Sequence, residues 1–298
     1  MGQVRGYGAI LSAAALFGAS ATVGWRLMNQ LAVPPLTALV VAHLVASLVF
    51  LPRALRIRLR RKDTRLLLLW GLNGAAIAPY LWFAGVPLTT ATEAALLANL
   101  EALFTVVFAY VFLRERVPRR GYGGIVLLLI GAVAVTTGFD FVTFGFAEHL
   151  LGNTMLILSA LCFGIDNNVS RILIRTYDRR GVAFYKIWIG LPVLIPVAIV
   201  LGLPWPTSVD AVPLVLFLGL GGVAGVIWFF YIAFEEIGAM RTGALISTSA
   251  LFGVTIAFAA FGEPPSAAQL GGGLLMVAGV FLMTEWTPRR RKNRQARE

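Results

Sequence analysis

Apolar runs about as long as a bilayer is thick follow one another along almost the whole sequence, and no water-soluble core could bury that many. They lie at 7–28, 35–52, 66–86, 89–118, 121–137, 150–174, 184–203, 212–234, from the turn at 235–241 to 261, and 270–286. A spanning helix needs roughly 20 predominantly apolar residues, because hydrocarbon offers no partner to backbone N–H and C=O groups. Composition agrees, with 58% hydrophobic and 13% charged residues, where a soluble domain carries about 25% charged. The expectation is an all-α integral membrane protein with ten transmembrane helices.

A net charge of +11 raises the question of nucleic acid, and the placement of the basic residues answers against it. They crowd into 53–65, 114–120, 171–180 and 289–297, whereas 139–149, 204–210 and 262–269 hold no Lys or Arg. Alternation of this kind is the positive-inside pattern of a multi-pass protein. It predicts a bacterial-type plasma (inner) membrane with both termini cytoplasmic and Arg26 the one basic residue at the outer side. The single cysteine, Cys162, lies in an apolar run, which excludes an intramolecular disulfide and a multi-Cys metal site. There is no histidine pair at metal spacing, no glycine loop with lysine for nucleotide and no sizeable polar domain. Neither metal, cofactor nor enzymatic chemistry is expected, and Gly219-Leu-Gly-Gly222 reads as a helix-packing surface.

The sequence repeats. An offset of 146 lays Gly6 on Gly152, Phe17 on Phe163 and Gly18 on Gly164; an offset of 148 lays Gly74 on Gly222, Phe104 on Phe252 and Glu115 on Glu263. Two five-helix copies are expected, at 1–148 and 149–287, followed by a basic tail at 288–298. With an odd number of helices per copy the second enters from the other face, so the repeats are inverted, a plan of secondary transporters with a site near the midplane.

Leu113-Arg-Glu-Arg-Val-Pro118 followed by Gly121 and Gly124, and Phe261-Gly-Glu-Pro264 followed by Gly271, resemble the drug/metabolite transporter superfamily, EamA type, over essentially the whole chain. The resemblance implies ten helices in two copies and transport of small molecules. Two departures stand out: a proline often found in the fourth and ninth helices is Ala102 and Ala250 here. Bending of those helices then falls to another element, such as Gly243 or Gly253.

Polar groups inside the spans are the candidate site. Glu101, with Asn99 beside it, sits near the middle of the fourth span, and an ionised carboxylate there costs roughly 2.5 kcal/mol or more. Glu93, Leu97, Glu101 and Thr105 share one helical ridge. That ridge lines a cavity, or else Glu101 is protonated or bonded to a neighbouring helix. Asp166-Asn167-Asn168 is the most polar run in any span; it coordinates a proton, cation or amine with Arg171 as counter-ion, or it is an interfacial pair. His43 either functions or bonds a backbone carbonyl, and Asn73 is similar. Tyr80, Trp82, Trp228 and Tyr231 pack, or stack on substrate. Ser249 stands where the first copy has Glu101. Arg26 and Glu93 form an outer gate or are solvated independently; Arg171 and Arg241 are further gate candidates.

The expected function is secondary active export of small organic metabolites or amphipathic compounds by alternating access. The lipid bilayer and a small-molecule substrate are its partners, and protons its coupling ion, since burial favours a neutral carboxyl and release follows solvent access. A gradient-driven facilitator or channel is the alternative, followed by a lipid-modifying enzyme. The sequence specifies neither substrate nor oligomeric state.

Overall fold

A computed structural model describes residues 2–54, 60, 63–89, 91–139, 147–261 and 266–283. Most of the Arg-rich loop after the second span, most of the connection at 139–149, Gly262 to Pro264 with Glu263, and the basic tail lie outside the described residues.

Among the described residues the chain is helical throughout. In order run α1 (Gly2–Asn29), α2 (Pro35–Ala54), α3 (Thr64–Leu72), α4 (Ala78–Gly85), α5 (Ala91–Ala98), α6 (Leu100–Val111) and α7 (Arg119–Thr137). Then follow α8 (Leu150–Leu173), α9 (Arg179–Val200), α10 (Ala211–Phe217), α11 (Val226–Leu245), α12 (Ser249–Phe261) and α13 (Ala267–Met283). Six described stretches are long and apolar enough to cross a membrane. One of them, Ala211–Ile256, is 46 residues long, about twice a span, and it folds back at Gly238 (φ 85°, ψ 169°). Pro35–Leu51, Leu100–Val111 and Ala267–Met283 are shorter apolar helices.

Four of the interruptions fall at corresponding places in the two copies. A π-helical stretch, Asn73–Ile77, joins α3 to α4, and another, Leu218–Gly225, joins α10 to α11; at the 148-residue offset they overlap. The break between α5 and α6 at Asn99 corresponds to the 3-10 turn Ile246–Thr248 between α11 and α12. The bends therefore do not use Gly243 or Gly253, which lie inside α11 and α12. At Ile246–Thr248 side chains compete for the backbone carbonyls. Ser247 Oγ donates to Ala244 O and Thr248 Oγ1 to Leu245 O, both at 2.7 Å, while Leu103 N reaches Asn99 O only at 3.4 Å.

The large helix contacts run between the copies. α7 lies along α13, α2 along α9, α1 against α11 and α12, and α8 against α4 and α6. Each copy thus supplies the packing surface of the other. Lipid does not drive helices together by apolar burial, so close approach has to come from small residues. A Cβ on Gly131 of α7 would stand 2.5 Å from Met276 Cγ and 2.6 Å from Gly272 O. Gly131→Val should force α7 off α13 and destabilise the protein by about 1–3 kcal/mol. A detergent melting curve checks this, and an unchanged midpoint would show that the two helices can part without cost.

Two ends of the bundle are distinct. At an Arg-rich face Glu115, Arg171, Glu235 and Arg241 line a cleft of about 240 Å³. At the opposite face Arg26, Gln30, Asp210 and Leu214 line a groove of about 570 Å³ between α1 and α10.

Candidate functional site

The ridge Glu93, Leu97, Glu101, Thr105 forms as its spacing demands, and it faces α8. Near the opposite face the Glu93 side chain, 0% exposed, takes hydrogen bonds from Asn153 Nδ2 (2.6 Å) and Thr89 Oγ1 (2.7 Å), with His149 Nδ1 at 3.4 Å. Leu97 packs against Leu156. Deeper in, Asn167 Nδ2 donates to Glu101 Oε1 at 3.1 Å and to Thr105 Oγ1 at 3.0 Å. Asn168 Nδ2 donates to Thr105 O at 3.1 Å and to Gly164 O at 2.9 Å. One ridge of the first copy is therefore zipped to one face of the second by polar contacts. Removing the amide in Asn153→Ala strips Glu93 of its shortest hydrogen bond. A buried acceptor left that way costs about 1–3 kcal/mol, so a clear fall in melting midpoint is expected; no fall would mean that Thr89 and His149 suffice.

Asp166 faces away from Glu101's helix, toward α3 and α9. Its carboxylate binds Lys186 Nζ, and Trp70 Nε1 donates to Asp166 O at 3.3 Å and to Ser170 Oγ at 3.2 Å. The first π-helical stretch brings Gly74 against this carboxyl, where a Cβ would overlap it. Arg171, expected as the counter-ion of Asp166, pairs with Glu115 instead, Nε to Oε1 at 3.5 Å. The reason is phase: five residues on, at 100° each, Arg171 is carried to another face and to the Arg-rich end.

Lys186 is the residue that sequence reasoning missed. It falls within the seventh apolar run, 184–203, and was not singled out there, yet it lies seven residues inside α9 and only 12% of its side chain is exposed. Its signal was present, a single ammonium in an otherwise apolar run, and such residues in a span seek a partner. Trp70 was likewise unflagged, because tryptophan is not rare in a membrane helix.

The remaining candidates scatter around this centre. Tyr231 is buried on α11, within electrostatic reach of Asp166. His43 is buried on α2 and gives Nδ1 to Leu39 O of its own helix (2.9 Å). Asn99 turns to α7, donating to Thr136 Oγ1 at 3.1 Å, and Asn73 donates to Cys162 O at 2.8 Å. Tyr80 is exposed on the lateral surface, Trp82 packs beside Leu97 and Leu156, and Trp228 lies under the guanidinium groups of Arg179 (4.8 Å) and Arg180 (5.1 Å). Ser249 opens α12, its carbonyl against Gly18. Arg241 lines the Arg-rich cleft and Arg26 the opposite groove. No cluster of metal-ligating side chains occurs among the described residues.

This chain is similar to known proteins over nearly its full length. The pattern of the EamA-like transporter family matches it twice, over residues 4–137 and 150–285. An uncharacterized transporter of Methanothermobacter thermautotrophicus is 30% identical over 300 residues, covering 95% of this chain and 87% of its own. A probable terminal-alkyne amino-acid exporter of Streptantibioticus cattleyicolor is 27% identical, over 86% of this chain and 85% of its own. A pseudopaline exporter of Pseudomonas aeruginosa is 23% identical, over 78% and 80%. One solved crystal structure superposes with a TM-score of 0.79 at 23% identity, covering 95% of this chain and 96% of that one, so the fold is shared.

Proposed function

The chain belongs to the EamA-like transporter family, and we propose that this membrane protein is a proton-coupled secondary exporter of small organic metabolites or amphipathic compounds. Ten spans in two inverted copies would sit in a bacterial-type plasma membrane with both termini cytoplasmic, and alternating access would come from rocking one copy against the other. The observation that carries the reading is the Glu101–Asn167 contact (3.1 Å). A carboxyl in mid-span bonds the other copy two residues from a helix break, and discontinuous helices at the repeat interface are where transporters place their sites. Relatives named as exporters support the direction.

The cycle follows from the groups present. Glu101 carries the exchangeable proton: when the copies part, water reaches its carboxyl and the proton leaves. The Arg-rich face is fastened by Glu115, which accepts from Met240 N at 2.9 Å and pairs with Arg171. The opposite face is fastened by Glu93 and Asn153. Each fastening joins the two copies, so both must be exchanged in a full cycle.

Purified protein in proteoliposomes, offered a metabolite panel with and without a pH gradient, tests this. Solute flux that follows the gradient is the expected result. Lipid turnover without flux would replace the reading with a lipid-modifying enzyme, and ion current without a gradient with a channel.

A further inference from the structure

The pair of Asp166 and Lys186 is built like a receptor with its ligand in place. The Asp166 side chain is 2% exposed, Gly74 closes its back, and Trp70 presents its ring 5.7 Å from the Lys186 ammonium. A desolvated carboxylate beside an aromatic face is what binds an organic ammonium. The second carboxylate oxygen, Asp166 Oδ1, is buried without a hydrogen-bond donor. That oxygen can only accept, so the seat is short of donors and an anion would leave it bare. The neighbouring Tyr231 hydroxyl, also unpartnered, can accept or donate.

Resting on the transporter reading above, the geometry points to an ammonium seat: Asp166 and Trp70 bind the ammonium group of a transported amine, and Lys186 is its tethered occupant between transport events. The titratable groups around it are His43 from α2, Glu101 from α6, Cys162 from α8 and Tyr231 from α11. When a substrate ammonium takes Asp166, the displaced Lys186 needs another carboxylate. Glu101 is within electrostatic reach of both and supplies one by releasing its proton. One ammonium enters the site and one proton leaves it, so its net charge is unchanged. A tethered occupant also means that the carrier never has to reorient with an unpaired buried carboxylate, a strongly unfavourable state.

Chemical rescue tests the seat apart from transport. Lys186→Ala removes three carbons and the ammonium, which n-propylammonium replaces. In detergent, propylammonium should raise the melting midpoint of full-length Lys186→Ala by roughly 5 °C at a hundredfold excess over its Kd. It should bind the unaltered protein about tenfold more weakly, because there Lys186 competes. Asp166→Asn/Lys186→Ala should lose the effect, and neither propanol nor propionate should produce it. Equal response of the single and double variants would overturn the seat, as would propionate stabilising the unaltered protein through Lys186. If Lys186→Ala does not fold, the unaltered protein and the charge-free Asp166→Asn/Lys186→Met decide: propylammonium must stabilise the first and not the second. Rescue without solute flux in proteoliposomes would leave the seat standing and remove the transporter reading; flux without rescue would do the reverse.

Discussion

Glu101→Gln is expected to reduce pH-driven flux in proteoliposomes to the level of protein-free vesicles, while the protein still inserts and melts near the unaltered midpoint. The amide has the volume of the carboxylic acid and keeps an Oε1 that can accept from Asn167 Nδ2, now at 3.1 Å. What it loses is the exchangeable proton. Glu101→Ala would be a poorer test, since it also leaves the Asn167 amide without that acceptor, at about 1–3 kcal/mol, and mixes folding with coupling. In the Gln variant, a solute that leaves Lys186 on Asp166 can still move down its own gradient, whereas an amine should not, because Lys186 displaced from Asp166 then finds no second carboxylate. Full proton coupling in Glu101→Gln would remove Glu101 from the mechanism.

That variant is chosen from a residue visible in the sequence, and the reason it was visible also explains what was not. Desolvation makes a mid-span carboxylate rare enough to notice, and the ridge around it follows from helical phase alone, so Glu93, Leu97, Glu101 and Thr105 could be placed on one face before any packing was known. Which neighbour that face meets depends on how the helices pack, and the spacing could not say that it is α8. The same holds for Asp166. Its charge announced a partner, but the nearest basic residue along the chain, Arg171, is turned away, and the actual partner arrives from α9. Helix breaks were legible in part. Two proline-free helices still bend, at Asn99 and at Ile246–Thr248; at the second, hydroxyl side chains take backbone carbonyls, which a search for Gly and Pro does not detect. The repeat offsets, by contrast, come straight from identities, and the paired π-helical stretches fall where those offsets align.

Gly238→Ala should destabilise the protein by a melting shift of roughly 10 °C. Gly238 has φ 85° and ψ 169°, a conformation essentially confined to glycine, and forcing a side chain into it costs about 1–3 kcal/mol. The new Cβ would also stand 2.7 Å from Glu115 Oε2, the oxygen that accepts from Met240 N. Pushing that carboxylate away forfeits a hydrogen bond to a charged group, worth about 1.5–3 kcal/mol, and loosens its pair with Arg171. At about 2–4 °C per kcal/mol for a chain of 150–250 residues, the two effects give the stated shift. They separate in a double-mutant cycle: Glu115→Ala removes the clash but not the backbone strain, so the double variant should be less damaged than the sum of the singles by about 1 kcal/mol or more. Strict additivity would show that Glu115 does not press on the turn, and a Gly238→Ala protein melting at the unaltered midpoint would show that the chain can reverse there without glycine. If the coupling is found, the Arg-rich face is held shut by one carboxylate seated on one glycine turn, and loosening it should bias the carrier toward opening on that side.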